Sequence, residues 1–143
     1  MIEILLVEDD DGDIELTREA FRQSKVTLKM HVARDGIEAM AYLRQQGDFQ
    51  TVNIPDLVLL DLNMPRKDGR EVLKEMEADE YLKHIPVVVL TTSNADEDVL
   101  RSYQVGANAY VTKPVGLEGL TKVVKLLEEF WFTIVKLPPH EAA

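Results

Sequence analysis

The sequence has no cysteine among its 143 residues, which excludes disulfides, cysteine-ligated zinc, iron–sulfur clusters and thiol nucleophiles. A reducing compartment is permitted by that absence, not required. Positive charge is scarce as well: 16 Lys and Arg stand against 26 Asp and Glu, a formal net charge of −10. Nucleic-acid binding needs a basic face, so DNA and RNA are poor partners for such a chain. Long apolar runs are missing too. The longest uncharged stretch, His84 to Ala95, contains Pro86 and several hydroxyls and falls short of the roughly 20 apolar residues of a membrane-spanning helix. The start, Met1-Ile2-Glu3-Ile4, lacks the cationic and apolar segments of a secretory signal, so a cytoplasmic location is expected. What is present is 45% hydrophobic and 29% charged, a composition that suits one folded domain and argues against disorder, a collagen-like repeat or a coiled coil.

Three continuous apolar runs, Ile4-Leu5-Leu6-Val7, Leu57-Val58-Leu59-Leu60 and Val87-Val88-Val89-Leu90, do not alternate with polar residues, as strands buried on both faces do not. Leu28 to Ala33 and Ala109-Tyr110-Val111 read as weaker strands, the first alternating as an edge strand does. Between them the period changes to 3.6. Asp11 to Ser24 places Ile14, Thr17 and Phe21 on one face, and Gly36 to Gln46 groups Ile37, Met40, Ala41 and Arg44 before Gly47. Asp68 to Ala78 groups Val72, Leu73 and Met76, and Ala95 to Gln104 groups Val99, Leu100 and Tyr103 before Gly106. A last and longest helix covers Leu117 to Val135, ahead of Pro138-Pro139. Five strand–helix units in succession predict an α/β fold: a parallel sheet covered by helices on both faces, with right-handed crossovers. The expected form is a five-stranded, doubly wound, flavodoxin-like (βα)5 sheet of order 2-1-3-4-5 with an extended C-terminal helix. No repeat or linker marks a second domain; residues 1–127 form the expected core and 128–143 a contact extension.

Polar residues follow the carboxyl ends of four of these runs: Glu8, Asp9, Asp10, Asp11 and Asp13 after the first, Asp61 after the second, Thr91, Thr92 and Ser93 after the third, and Thr112, Lys113 and Pro114 after the last. Open parallel sheets bind ligands outside the carboxyl ends where strand order reverses. Here that point separates the first and third strands, so Glu8 and Asp9 face Asp61, with Thr91 and Lys113 on the far side. Carboxylates converging in this way repel unless a cation sits among them, and oxygen-only donors favour a hard ion, Mg²⁺ or Mn²⁺. A phosphoryl-transfer site is implied, with Asp61 as nucleophile, Lys113 as an ammonium for one phosphoryl oxygen and Thr91 as a hydroxyl donor to another.

Four stretches, Leu5-Leu6-Val7-Glu8-Asp9, Pro55 to Pro65, Ile85 to Thr91 and Tyr110-Val111-Thr112-Lys113-Pro114, resemble in order and spacing the receiver domain of two-component response regulators. The likeness runs from about Ile2 to Leu127. It implies that Asp61 accepts a phosphoryl group from a phosphohistidine on a sensor kinase. It implies further that Glu8, Asp9, Asp61 and the Asn63 backbone carbonyl hold the Mg²⁺ while Lys113 stabilises the phosphoryl group. Thr91 and Tyr110 become a switch pair, and Lys113–Pro114 a cis peptide. Glu8 departs from the commoner Asp and lengthens one metal arm; Thr92 replaces a smaller residue and narrows access to the site. Asp13, the stretch Asp61 to Leu73 and the tail Phe130 to Pro139 resemble more closely the single-domain regulators paired with phytochromes. A phytochrome-type kinase is therefore the expected partner, and the protein is expected to be a phosphoacceptor that catalyses its own phosphotransfer and dephosphorylation, not a turnover enzyme.

Several blander readings compete. Asp10 and Asp11 fit an ordinary solvated helix start, where the dipole favours acid. An EF-hand fails on spacing, because with Gly12 as sixth residue Val7 falls on a ligand position and Arg18 replaces the terminal Glu. His31, His84 and His140 are too scattered for a metal site or triad. An aspartate-nucleophile phosphatase of the haloacid dehalogenase kind would carry its nucleophile after the first strand, with a second Asp where Asn63 stands. A phosphorylation-independent pseudo-receiver scaffold would be expected to lack Asp61 or Lys113. Finally, Leu120, Val124, Leu127, Trp131 and Val135 form one stripe of the last helix, and Val123, Leu126, Phe130 and Ile134 form another beside it. Together they make an apolar arc wider than the ~100° that packing on a sheet uses. A homodimer or docking surface at Phe130, Trp131 and Phe132 is expected, output being through protein contact because no effector domain follows residue 143. The competing cover for the arc is the chain's own tail, Leu137-Pro138-Pro139.

Overall fold

Strands β1 (Ile2–Val7), β2 (Leu28–Ala33), β3 (Leu57–Leu60), β4 (Val87–Thr91) and β5 (Ala109–Thr112) form one sheet of order β2-β1-β3-β4-β5. Every neighbouring pair is parallel, as the unbroken apolar runs require. The structure is a computed structural model describing residues 2–24, 27–64, 66–91, 106–107, 109–114 and 116–129. Helices α1 (Asp11–Arg22), α2 (Gly36–Leu43), α3 (Gly69–Ala78) and α4 (Gly116–Leu127) complete it, with short 3-10 turns at Gly47–Phe49 and Leu82–His84. The helix expected over Ala95 to Gln104 and the end of the last helix beyond residue 129 lie outside the described residues. Among the described residues, no helix is long and apolar enough to cross a membrane.

Successive residues of a strand point to opposite faces, and this divides the core in two. Leu5, Val7, Val58, Leu60, Val87 and Val89 face α2 and α3, packing with Met40, Leu43, Val72, Leu73 and Met76. Ile4, Leu6, Leu57, Leu59, Val88 and Leu90 face α1 and α4, packing with Ile14, Phe21, Leu120, Val124 and Leu127. Ile14, Thr17 and Phe21 on α1 are buried together, as are Val72, Leu73 and Met76 on α3. In α2 the buried set is Gly36, Ala39, Met40, Tyr42 and Leu43, while Ile37 is 48% exposed. The inward face is thus rotated from the one the sequence pattern implies. Eight residues make barely two turns, and a helix that short fits two apolar stripes about equally.

Helix starts share a device. Asp10, Asp35 and Asp68 cap α1, α2 and α3, accepting from the N–H groups of Asp13 (2.9 Å), Glu38 (2.9 Å), and Arg70 and Glu71 (3.0 and 3.2 Å). Each satisfies a backbone donor that the first helical turn leaves unpaired. Asp10 therefore has a capping role, in line with its reading as a helix start. Asp68, expected inside α3, is its cap. The far end of α2 closes early, at Leu43, through Gln45 and Gly47 in the left-handed region (φ 55° and 59°).

Candidate functional site

In a strand–helix unit the helix start follows the strand's carboxyl end, so the capped helix starts and the polar residues gather along one sheet edge. Glu8 lies directly after β1, its N–H donating to the carbonyl of Ala33 (2.9 Å). Asp61 lies directly after β3, its N–H donating to the carbonyl of Val7 (3.0 Å). Because β1 and β3 are adjacent, carboxylate oxygens of Glu8, Asp9 and Asp61 come within 4.8 Å of one another. Glu8 and Asp61 are 3% and 7% exposed; Asp9 is exposed. An all-oxygen donor set with two buried acids and one facing solvent fits a hard divalent cation that keeps part of its water shell.

Lys113 reaches this cluster from the end of β5. Its Nζ donates to Glu8 Oε2 (2.7 Å) and Asp13 Oδ2 (2.9 Å) and lies 3.6 Å from Asp61 Oδ2. Burial pushes the Glu8 carboxyl up to about 7, the charge of Asp61 adding to the rise and Lys113 opposing it. For Lys113, burial alone would lower the value, but hydrogen bonds to Glu8 and Asp13 with the charge of Asp61 raise it, so the ammonium stays charged. The second Glu8 oxygen accepts from the Asp10 N–H (3.1 Å), so its whole carboxylate is held.

The loop from Asp61 to α3 is fixed from two sides. Asn63 donates its N–H to Asp61 Oδ1 (3.2 Å), and Gly69 donates to the Leu62 carbonyl (3.0 Å). Arg66, in the left-handed region (φ 61°), pairs with Asp35, and the Gly36 N–H donates to the Lys67 carbonyl (2.8 Å). Glycine is required at both contacts, since a Cβ on Gly69 would strike the Asp61 carbonyl and one on Gly36 the Lys67 carbonyl.

Glu8, Asp9, Asp61 and Lys113 are therefore brought together as the sequence suggests, with Asn63 beside them. Thr91 ends β4, in register with Thr112; its side chain lies outside the described residues, as do the segment after it and Phe130, Trp131 and Phe132. Tyr110 is half-buried and packs against the core beneath α2 and α3. The cis isomer expected at Lys113–Pro114 is corrected: no cis peptide occurs among the described residues, this bond included. Trans is the lower-energy form by ~0.5–1 kcal/mol, and from it Lys113 already reaches the carboxylates. Sequence reasoning assigned Asp13 no role at the site; its signal was a fifth acid in the run after the first strand, four positions beyond Asp9.

Comparison with known proteins agrees with this geometry. Response regulator Rcp1 of Synechocystis sp. is 48% identical over 135 residues, covering 94% of this chain and 92% of that protein. The crystal structure of its Mn²⁺-bound form superposes with a TM-score of 0.90 at 47% identity, covering 97% of this chain and 100% of that one. The structure of the phosphorylated cyanobacterial phytochrome response regulator RcpA gives 0.92 at 50% identity, over 96% and 99%. The model of the response regulator receiver domain matches residues 4–125, a span holding both the sheet and the acidic edge, and the chain belongs to that family.

Proposed function

We propose that this receiver accepts a phosphoryl group on Asp61 from a sensor histidine kinase of the phytochrome type, in a Mg²⁺-dependent reaction, and signals by changed protein contacts. The observation that carries the reading is the meeting of Asp61 with Glu8, Asp9 and Lys113 at one sheet edge. Glu8, Asp9, Asp61 and the Asn63 carbonyl would hold the Mg²⁺, which when bound supplies positive charge against the incoming phosphoryl oxygens. An Asp61 carboxylate oxygen forms the new O–P bond as the N–P bond of a phosphohistidine breaks. The bonding pair leaves with the imidazole nitrogen, which takes its proton from solvent. Lys113 offers its ammonium to a phosphoryl oxygen and Thr91 offers its hydroxyl to another. The Mn²⁺-bound and phosphorylated relatives support a divalent ion and a phosphorylated state for such a domain.

Phosphorylation adds about 1.5 to 2 negative charges at Asp61. Thr91 and Tyr110 serve as the switch pair that carries this change to the surface. The protein works in the cytoplasm as a phosphoacceptor that catalyses its own transfer and loss of phosphoryl, not as a turnover enzyme, and it pairs with a second copy through α4 and the residues after it. Radiolabel transfer from acetyl phosphate or a phosphorylated kinase, with and without Mg²⁺, tests the core of the reading. Asp61→Asn is expected to label at background level, and labelling equal to wild type would assign the phosphoryl group elsewhere.

A further inference from the structure

Lys113 divides its ammonium unequally. It is hydrogen-bonded to Glu8 (2.7 Å) and Asp13 (2.9 Å), while Asp61 stands 3.6 Å off. Two of these three carboxylates, Glu8 and Asp61, belong to the cluster read above as the cation's ligands, and Asp13 does not. Asp13 also sits on a fixed element. It lies in the first turn of α1 with its N–H bonded to the Asp10 cap (2.9 Å), and Thr17 donates its hydroxyl to the Asp13 carbonyl (2.7 Å). The Asp13 carboxylate is therefore the partner Lys113 can keep when Glu8 and Asp61 turn to a metal.

The geometry points to Asp13 as a positioning residue that keeps the Lys113 ammonium beside the site when a divalent cation draws Glu8 and Asp61 away from it. This rests on the metal reading of Glu8, Asp9 and Asp61. Without Asp13, the full attraction of Lys113 falls on two metal-cluster carboxylates, and cation and ammonium compete for the same oxygens. A carboxylate outside the ligand ring then sets affinity by what it does to a neighbouring lysine, as groups surrounding metal ligands do.

Isothermal titration calorimetry with MgCl2 on metal-free protein tests this through binding alone. Asp13→Asn keeps the side chain's shape and is expected to weaken Mg²⁺ about 10-fold. Loss of one negative charge outside the cluster weakens the cation only slightly by itself, so the deciding comparison is made in Lys113→Ala. There Asp13→Asn is expected to change the dissociation constant by less than about 2-fold, since the group it acts through is gone. Asp13→Glu, which retains the charge, is expected to bind as wild type does. Equal weakening in both backgrounds, no weakening by Asp13→Asn, or a loss in Asp13→Glu as large as in Asn overturns the assignment. Wild-type protein that binds no Mg²⁺ overturns the metal reading itself, and this inference with it.

Discussion

Glu8 shows what burying one acid costs. Its carboxyl is pushed by burial from the ordinary 4.5 up to about 7, so between those values the folded state binds more protons than the unfolded chain. Stability contributed by the protonated form is fully present below about 4.5 and is lost as pH rises through about 7. In a chelator, wild type should therefore lose roughly 1–3 kcal/mol relative to Glu8→Gln between about pH 5 and pH 8. Urea unfolding at each pH measures it, and a constant difference across the range would remove the shift. His31 pulls the other way. Burial lowers its value, stacked on Tyr42 (centroids 4.4 Å) and edge-on to Phe49 (5.5 Å), so it binds fewer protons folded than unfolded and its contribution is lost as pH falls.

At the level of elements, caps and close backbone approaches hold the helix starts against the sheet edge. Asp68 accepts two backbone donors at the start of α3, and Gly69 beside it lies against the Asp61 carbonyl. Asp68→Ala should cost about 1 kcal/mol through the lost cap. Gly69→Ala should cost about 1–3 kcal/mol by forcing the backbone apart, and it should slow phosphoryl labelling, because the atom it strikes belongs to the proposed acceptor residue. Chemical unfolding of both variants, paired with labelling, separates the two cases: a Gly69→Ala protein that labels at the wild-type rate would show that the site tolerates the shift. The same elements show where patterning runs out. α1 and α3 have enough turns for their stripes to name the buried face, whereas α2 leaves Ile37 in water and buries Ala39 and Tyr42. Which side of a two-turn helix is inward depends on the sheet beneath it.

For the whole molecule, the distribution of the −10 charge matters more than its sum. Asp10, Asp35 and Asp68 cap helices, and Glu8, Asp9 and Asp61 converge, all at the edge where strands end and helices begin. Ordinary fold-building and the proposed chemistry thus draw on acid at the same place. On the α4 side, Leu120, Val124 and Leu127 are buried as their spacing implies, while Leu126 is 66% exposed. The proposed pairing of two copies rests on the apolar sequence that follows, Phe130, Trp131 and Phe132. Light scattering at micromolar concentration should give the mass of a dimer for wild type and of a monomer for Phe130→Ala or Trp131→Ala; a monomeric wild type defeats the pairing.

The succession of strands and helices, the doubly wound architecture and the placing of Glu8, Asp9 and Asp61 directly after strands were determined by the sequence alone. They follow from local signals: continuous apolar runs, a change of period from two to 3.6, and acids placed directly after strands, which right-handed crossovers then carry to one edge. What only the tertiary structure decided were relations between residues far apart in the chain. Asp13 and Lys113 are 100 positions apart and hydrogen-bonded; Gly36 must be glycine because Lys67 passes above it; the Glu8 carboxyl is pushed up to about 7 because it is buried beside the charge of Asp61, 53 positions away. Each depends on distance in space and on exclusion of water, and both are set only when the sheet and its helices close on one another.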